Sequence, residues 1–517
     1  MNRNLSKFKE IWVDILIFIV SFIVFIPLLF YGNLTRVGDG SEYYALSLAW
    51  ISTNKPFMTE TSWQVYDRVY NSGEINYLVD TTSLKKWFPG LKLGNTFDML
   101  HFWFYSFCAA IITKMGNIIG IRIPIHMNFI LLHYIMLTSM FFIAWRNLRW
   151  KGLITAIILT FLSPVIWYFD KVHTELFTYC VTSISVIYFL RKKYFYSAFF
   201  LALAATQNIS FTAISILVLG FGVILREKKV FSLTEAILIV LTIGTLAIHP
   251  AYYFSRWGYI DPILVSNKAN IGQNLKYFYI WFIDPDVGLL PNWPFGFCLL
   301  ASLFFPGREK KLNDSSIFPW LVFLTVYICV NLWANSSTAN LNHGATPNIA
   351  RYSIWYLSLF IPALLIFIEK ISSKSWMKIF IFFSIACGII YNTYFFIPNK
   401  PETYTKPTFF SFWLQKNFSK LYNPPPEIFA ERYGGVGEMP ALMDTFAIIG
   451  PDCHKILILN NPLDVGYDII RDNNCNFELK KLSSIIEKKF LSNKIIMIPS
   501  YIWLTDAEIK ENGLSLR

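Results

Sequence analysis

The chain has 517 residues, of which 55% are hydrophobic and only 15% charged. A soluble domain carries about 25% charged residues, so the composition excludes an ordinary soluble enzyme and puts most of the chain in lipid. The net charge of +12 does not point to a nucleic-acid partner. Its basic residues fall in short clusters between apolar segments, the pattern that orients a membrane protein.

The first apolar stretch, Ile11 to Tyr31, is about 21 residues long, enough to cross a hydrocarbon core of about 30 Å. It is too long for a signal-peptide core and no small-residue cleavage site follows, so it is expected to remain as a first membrane helix. Further apolar segments at 124–145, 152–169, 175–190, 194–207, 209–225, 231–250, 293–306, 316–334, 352–369 and 377–397 bring the expected number of spans to about 11. Six basic clusters lie between them: Arg3/Lys7/Lys9, Arg146/Arg149/Lys151, Arg191/Lys192/Lys193, Arg226/Lys228/Lys229, Arg308/Lys310/Lys311 and Lys370/Lys374/Lys378. All fall on one side if the spans alternate, which predicts a cytoplasmic N-terminus. The loops 32–123, 251–292 and 335–351 and the tail from 398 are then outside. Residues 98–119 are apolar enough to span, but counting them would move the second basic cluster outside. An aromatic-rich helix lying in the outer interface is expected there instead.

The tail 398–517 opens with a Pro-rich run and turns polar. Two β-like runs, 455–459 and 494–498, flank a predicted helix at 477–490, a strand–helix–strand pattern that reads as a small extracytoplasmic α/β domain. Five of the seven cysteines lie in apolar segments; the two in the tail, Cys453 and Cys475, are candidates for a disulfide in an oxidising compartment.

The chemistry-bearing residues gather at the outer ends of the spans. Asp39 and Glu42 sit in Gly38-Asp39-Gly40-Ser41-Glu42-Tyr43-Tyr44, just after the first apolar stretch. Carboxylates beside lipid are costly and tend to be kept for chemistry or ion traffic. Three residues apart, the two acids would share a face if helical, and Gly40 leaves that open. A second acidic loop holds Asp170, His173 and Glu175. It could contact substrate, cap the following helix with negative charge or hold a divalent metal. No other cofactor is expected. His101 opens the predicted interfacial helix, and Arg351 stands at the outer end of span 352–369, either as a phosphate ligand or as a snorkelling anchor.

Several segments, taken in order, resemble the GT-C superfamily of membrane glycosyltransferases, in particular the dolichyl-phosphate-mannose and aminoarabinose transferase group. They are GDGSEYYALSLAW (38–50), LHFWFYSFCAAIITKMGNIIG (100–120), FDKVHTELF (169–177), LALAATQNISF (201–211), IDPDVGLLPNWP (283–294) and NIARYSIWYLSLFIP (348–362). Two departures stand out: His101 is followed by Phe102-Trp103 rather than a proline pair, and Thr206-Gln207-Asn208 lacks the lysine of several relatives. The resemblance implies an α-helical polytopic fold over 1–397 and transfer of a sugar from a polyprenyl-phosphate donor. The acceptor would be a glycan, a lipid or a protein, and the site would lie at the outer face of a bacterial inner membrane. It implies Asp39 as the base, with Glu42, His101, His173, Glu175 and Arg351 as substrate ligands. A transporter or flippase of a lipid-linked sugar is the competing reading. Transporters place charges near the midplane on repeated, broken helices, whereas here the acids lie at outer helix ends.

Overall fold

The computed structural model describes residues 12–20, 39–226 except 77 and 88, 230–265, 274–304, 314–338, 348–370, 375–398, 406–434, 446–459 and 501–511, with short pieces at 22–23, 26, 272, 341 and 468–470. The chain forms two compact units.

The first unit, 1–269 with 293–334 and 354–400, is helical. Among the described residues, five helices are long and apolar enough to cross a membrane: Ile125–Phe161, Leu233–Trp257, Ile317–Ser336, Arg351–Glu369 and Lys378–Phe395. They mark the chain as a helical membrane protein. Their outward faces agree: on the last of these helices Ile379, Phe382, Phe383 and Ile390 are all exposed. Such a stripe on a soluble protein would be an aggregation site; in lipid it costs nothing.

Most predicted segments recur as helices, among them Glu175–Leu190, Tyr194–Gln207, Phe211–Ile224 and Leu233–Trp257. Two differ. The segments 124–145 and 152–169 form one element, Ile125–Phe161, broken at Arg149 (φ 55°, ψ −145°) inside the basic cluster. The chain then continues through the 3₁₀ turn Pro164–Asp170, where Pro164 stops the helix and takes its first position. The segment 352–369 begins as a 3₁₀ helix, Arg351–Phe360, and turns α-helical only at Ile361–Lys370.

The predicted interfacial segment contains the helix Phe104–Ile118, which packs against Gly40–Thr53. Between them runs a long loop, with Glu60–Ser72 capped by a reciprocal Thr59–Ser62 box and closed by Gly73 in the left-handed region.

The second unit comprises 270–292, 335–353 and 401–517. Its sheet has the order Asp468–Ile470, Phe446–Ile449, Lys455–Leu459, Tyr501–Thr505, the first pair parallel and the others antiparallel. Of the predicted strand–helix–strand pattern, the run 455–459 is a strand, while 477–490 and 494–498 lie outside the described residues. Ile456, Leu457 and Ile458 are all buried, so this central strand is covered on both faces, which is why its sequence is a continuous apolar run. The edge strand Tyr501–Thr505 alternates instead, with Ile502 and Leu504 buried. Helix Pro426–Gly434 lays Phe429 into the sheet, edge-on to Trp503 at 4.8 Å. Cys453 is disulfide-bonded; its predicted partner Cys475 lies outside the described residues.

Candidate functional site

Asp39 directly precedes the helix Gly40–Thr53, in the cap position, but its carboxylate makes no capping bond to that helix. Its Oδ2 faces two imidazoles instead, 3.3 Å from Nε2 of His101 and 3.6 Å from Nε2 of His173. The turn is helical from the start, with the Glu42 N–H donating to the Asp39 carbonyl at 2.9 Å. Gly40 therefore opens the helix rather than preventing it, and Glu42 lies on its first turn.

Glu42 is fully buried. Its Oε2 accepts the backbone N–H groups of Leu100 at 2.9 Å and His101 at 3.2 Å, and its Oε1 lies 3.2 Å from Nδ1 of His101. One carboxylate thus holds the backbone of residues 100 and 101 and faces the ring of His101. On the other side, Nδ1 of His173 meets the carboxylate of Glu175, the first residue of Glu175–Leu190. The five residues form an alternating row: Glu42, His101, Asp39, His173, Glu175. Adjacent carboxylates would repel one another; here each neighbouring pair of acids has an imidazole between them.

Exposure separates the roles. The side chains of Glu42, His173 and Glu175 are at most 2% exposed, whereas Asp39 is 28% and His101 18% exposed. The accessible edge of the row is Asp39 with His101, and the burial of the other three suits holding that edge in place.

Aromatic residues fix the row from behind. The Tyr43 ring packs 5.3 Å from His101, 5.8 Å from His173 and 5.3 Å from Tyr105. The Tyr105 hydroxyl lies 2.7 Å from Nε2 of His133, whose Nδ1 is 2.8 Å from the Phe169 carbonyl. The chain just before the second acidic loop is thereby tied to the helix that follows His101. Asp170 stands apart from the row, in a 2.5 Å ion pair with Lys171 that is almost entirely buried.

Five of the six residues singled out from the sequence therefore meet: Asp39, Glu42, His101, His173 and Glu175. Arg351 belongs to the second unit, where it opens the 3₁₀ helix Arg351–Phe360 with its guanidinium 5.3 Å from the Tyr352 ring. The metal set considered for the second acidic loop does not form as a unit, because Asp170 is taken by Lys171. Ligand atoms of Asp39, Glu42 and His101 lie within 4.8 Å of one another. Sequence reading passed over Tyr43, Tyr105 and His133. No spacing marks Tyr105 or His133, since His101 precedes the helix Phe104–Ile118 that carries Tyr105.

Comparison with known proteins returns nothing: no family model, no curated protein and no solved structure matches this chain.

Proposed function

We propose that the chain is an integral membrane glycosyltransferase that moves a sugar from a polyprenyl-phosphate carrier to a glycan, lipid or protein acceptor at the outer face of the membrane. The observation that carries this reading is Asp39, the most accessible carboxylate of a buried acid–imidazole row, placed in sequence directly after the first apolar stretch. An acceptor hydroxyl attacks the anomeric carbon and its proton passes to Asp39. The bond from that carbon to the phosphate oxygen breaks, and the electron pair leaves with the lipid phosphate. His101 contacts the sugar from the exposed edge; Glu42, His173 and Glu175 hold Asp39 and His101.

Two observations support the accompanying topology of about 11 spans with a cytoplasmic N-terminus. Asp14, near the start of the first apolar stretch, pairs with Arg146 at the end of the second, so these two points lie at one depth. The disulfide at Cys453 suits an extracytoplasmic α/β domain in the tail.

The test is transfer from a purified lipid-phosphate sugar by the purified protein. Asp39→Asn, nearly isosteric, is expected to lower turnover by about 10²-fold or more while leaving the protein folded. Near-normal turnover in this variant overturns the assignment.

A further inference from the structure

We infer that the helix Phe409–Asn417 of the second unit is an interfacial membrane anchor, its aromatic face seated in the headgroup zone of a lipid bilayer. The inference rests on the chain being a membrane protein and is independent of the transferase reading.

The helix is turned inside out. Ser411 and Gln415, four apart and so on one face, are both fully buried, and Ser419 just beyond the helix is buried as well. The apolar side chains point the other way. Phe409 is 86% exposed, Phe410, Phe412 and Trp413 are exposed, and so are Phe418 and Leu421 that follow. A helix on a water-facing domain turns its apolar stripe to the core and its polar face outward. This one does the reverse.

Its orientation is fixed by bonds on the buried face. The Thr408 hydroxyl caps the helix by accepting the Ser411 N–H at 3.1 Å, and donates to the Pro285 carbonyl at 2.9 Å. Asp286 accepts the Thr408 N–H at 2.8 Å and the Ser411 hydroxyl at 2.6 Å. Rolling the aromatic rings inward would break all four. The rings also form one continuous surface, with Trp413 stacked on Phe410 at 6.2 Å and packed on Phe418 at 5.2 Å.

Three observations make lipid the occupant. Phe and Trp beside Lys is the composition of a membrane-surface helix, and Lys406, Lys416 and Lys420 are exposed around the patch. Their ammonium groups suit lipid phosphates, whereas lysine is depleted where proteins meet proteins. The third observation is the tether. Phe409 follows Phe395, the end of a helix apolar enough to cross a membrane, by 14 residues. A chain of that length reaches at most about 50 Å, so the patch is never far from a bilayer surface.

The test places an environment-sensitive nitrobenzoxadiazole label on Phe409→Cys. The host is the full chain with its five free cysteines, Cys108, Cys180, Cys298, Cys329 and Cys387, replaced by alanine and the disulfide at Cys453 kept. The labelled chain is placed in nanodiscs of phosphatidylcholine and phosphatidylglycerol and compared with the same label on Lys510→Cys, an exposed position of the second unit. At 409 the emission is expected to be blue-shifted and to be quenched by a lipid carrying a nitroxide on its acyl chain near the headgroup; at 510 neither is expected. An unshifted emission at 409 means water and overturns the anchor. A blue shift without lipid quenching means a protein surface, a second copy or another partner, and also overturns it, as does equal quenching at both positions. Read from a label on Leu421→Cys, the pair Phe412→Ser and Trp413→Ser should lose the quenching while the thermal midpoint in detergent is unchanged. Quenching retained in that folded variant counts against the aromatic face as the anchor. If the double variant does not fold, the label at 409 decides, since its side chain is 86% exposed and carries none of the buried bonds.

Discussion

Nε2 of His101 stands 3.3 Å from Oδ2 of Asp39, and the residue that makes this approach possible is Glu42. Its buried carboxylate takes two backbone N–H groups of the 100–101 turn and faces the ring of His101. Glu42→Ala would leave these donors buried without an acceptor. Hydrogen bonds to charged groups contribute about 1.5–3 kcal/mol, so a loss of about 3 kcal/mol is expected, seen as a lower thermal midpoint in detergent. Glu42→Gln keeps an acceptor oxygen and should recover part of that loss. A midpoint unchanged in the alanine variant would show that the turn is held by something else.

Much of this site could be read from residue types, because expensive groups at span ends are few. Asp39, Glu42, His101, His173 and Glu175 were each visible as costly polar residues beside apolar runs, and burial then forced them together. What could not be read was pairing. Nothing local distinguishes Asp170, which is neutralised by its neighbour Lys171, from Glu175, which turns to His173. The helices were legible because lipid demands long apolar runs; the break at Arg149 was not, because it is a backbone conformation (φ 55°) rather than a composition. In the second unit the buried run 455–459 was recognisable. Its neighbour Phe446–Ile449 was not, since a four-residue strand carries too little period to read.

Asp98 gives a test of the loop between Gly40–Thr53 and Phe104–Ile118. Its Oδ2 accepts Nε of Arg256 at 2.8 Å and Nε1 of Trp257 at 3.0 Å, while Tyr252 bonds the other oxygen. The Arg256 guanidinium also lies 4.0 Å from the Phe57 ring and bonds Thr96 at 3.0 Å. One acid therefore clamps the hairpin 92–97 to the end of Leu233–Trp257. Breaking a buried ion pair by removing one partner costs about 3–5 kcal/mol; with Arg256 still 15% exposed, Asp98→Ala should fall near the lower end. Trypsin should then cut faster at Lys85, Lys86 and Lys92. Digestion at the wild-type rate would mean that the hairpin is held without the clamp.

Asp284 and Asp286 predict the pH response of the second unit. Both are buried within the loop that carries them. Asp284 accepts the N–H groups of Asp286 and Val287 and the Tyr422 hydroxyl; Asp286 accepts the Thr408 N–H and the Ser411 hydroxyl. Burial, and then the charge of Asp286, push Asp284 up to about 6, and burial raises Asp286 as well. A carboxyl with a raised folded-state value binds its proton more tightly when folded. Its contribution is therefore fully present below the ordinary value of 3.8 and is lost as pH rises toward about 6. Thermal stability should fall across that window, by at most about 1.4 kcal/mol per pH unit for one group. Asp284→Asn should flatten the slope and raise the midpoint at pH 7. A slope identical to that of the wild type would remove Asp284 as its source.

Asp14 and Arg146 make the topology testable at two points at once. Asp14 is a buried acid in an apolar stretch, its side chain 8% exposed, and three groups of one region satisfy it: the cations Arg146 and Arg149, the latter at 3.8 Å, and the Trp145 indole N–H, which donates at 2.8 Å. A carboxylate at this position is tolerable only with such partners, so the start of the first apolar stretch and the end of the second are fixed at one level. Single cysteines at Glu10→Cys and Leu148→Cys, in a chain whose natural cysteines are replaced, should therefore behave alike. Both should resist a membrane-impermeant reagent in intact cells and react after permeabilisation, because both lie beside basic clusters and such clusters stay cytoplasmic. If both react in intact cells, the pairing stands but the orientation is inverted, and Asp39 moves to the cytoplasmic face with the rest of the site. If only one reacts, the Asp14–Arg146 pair cannot hold in the membrane, and the first helix packs elsewhere.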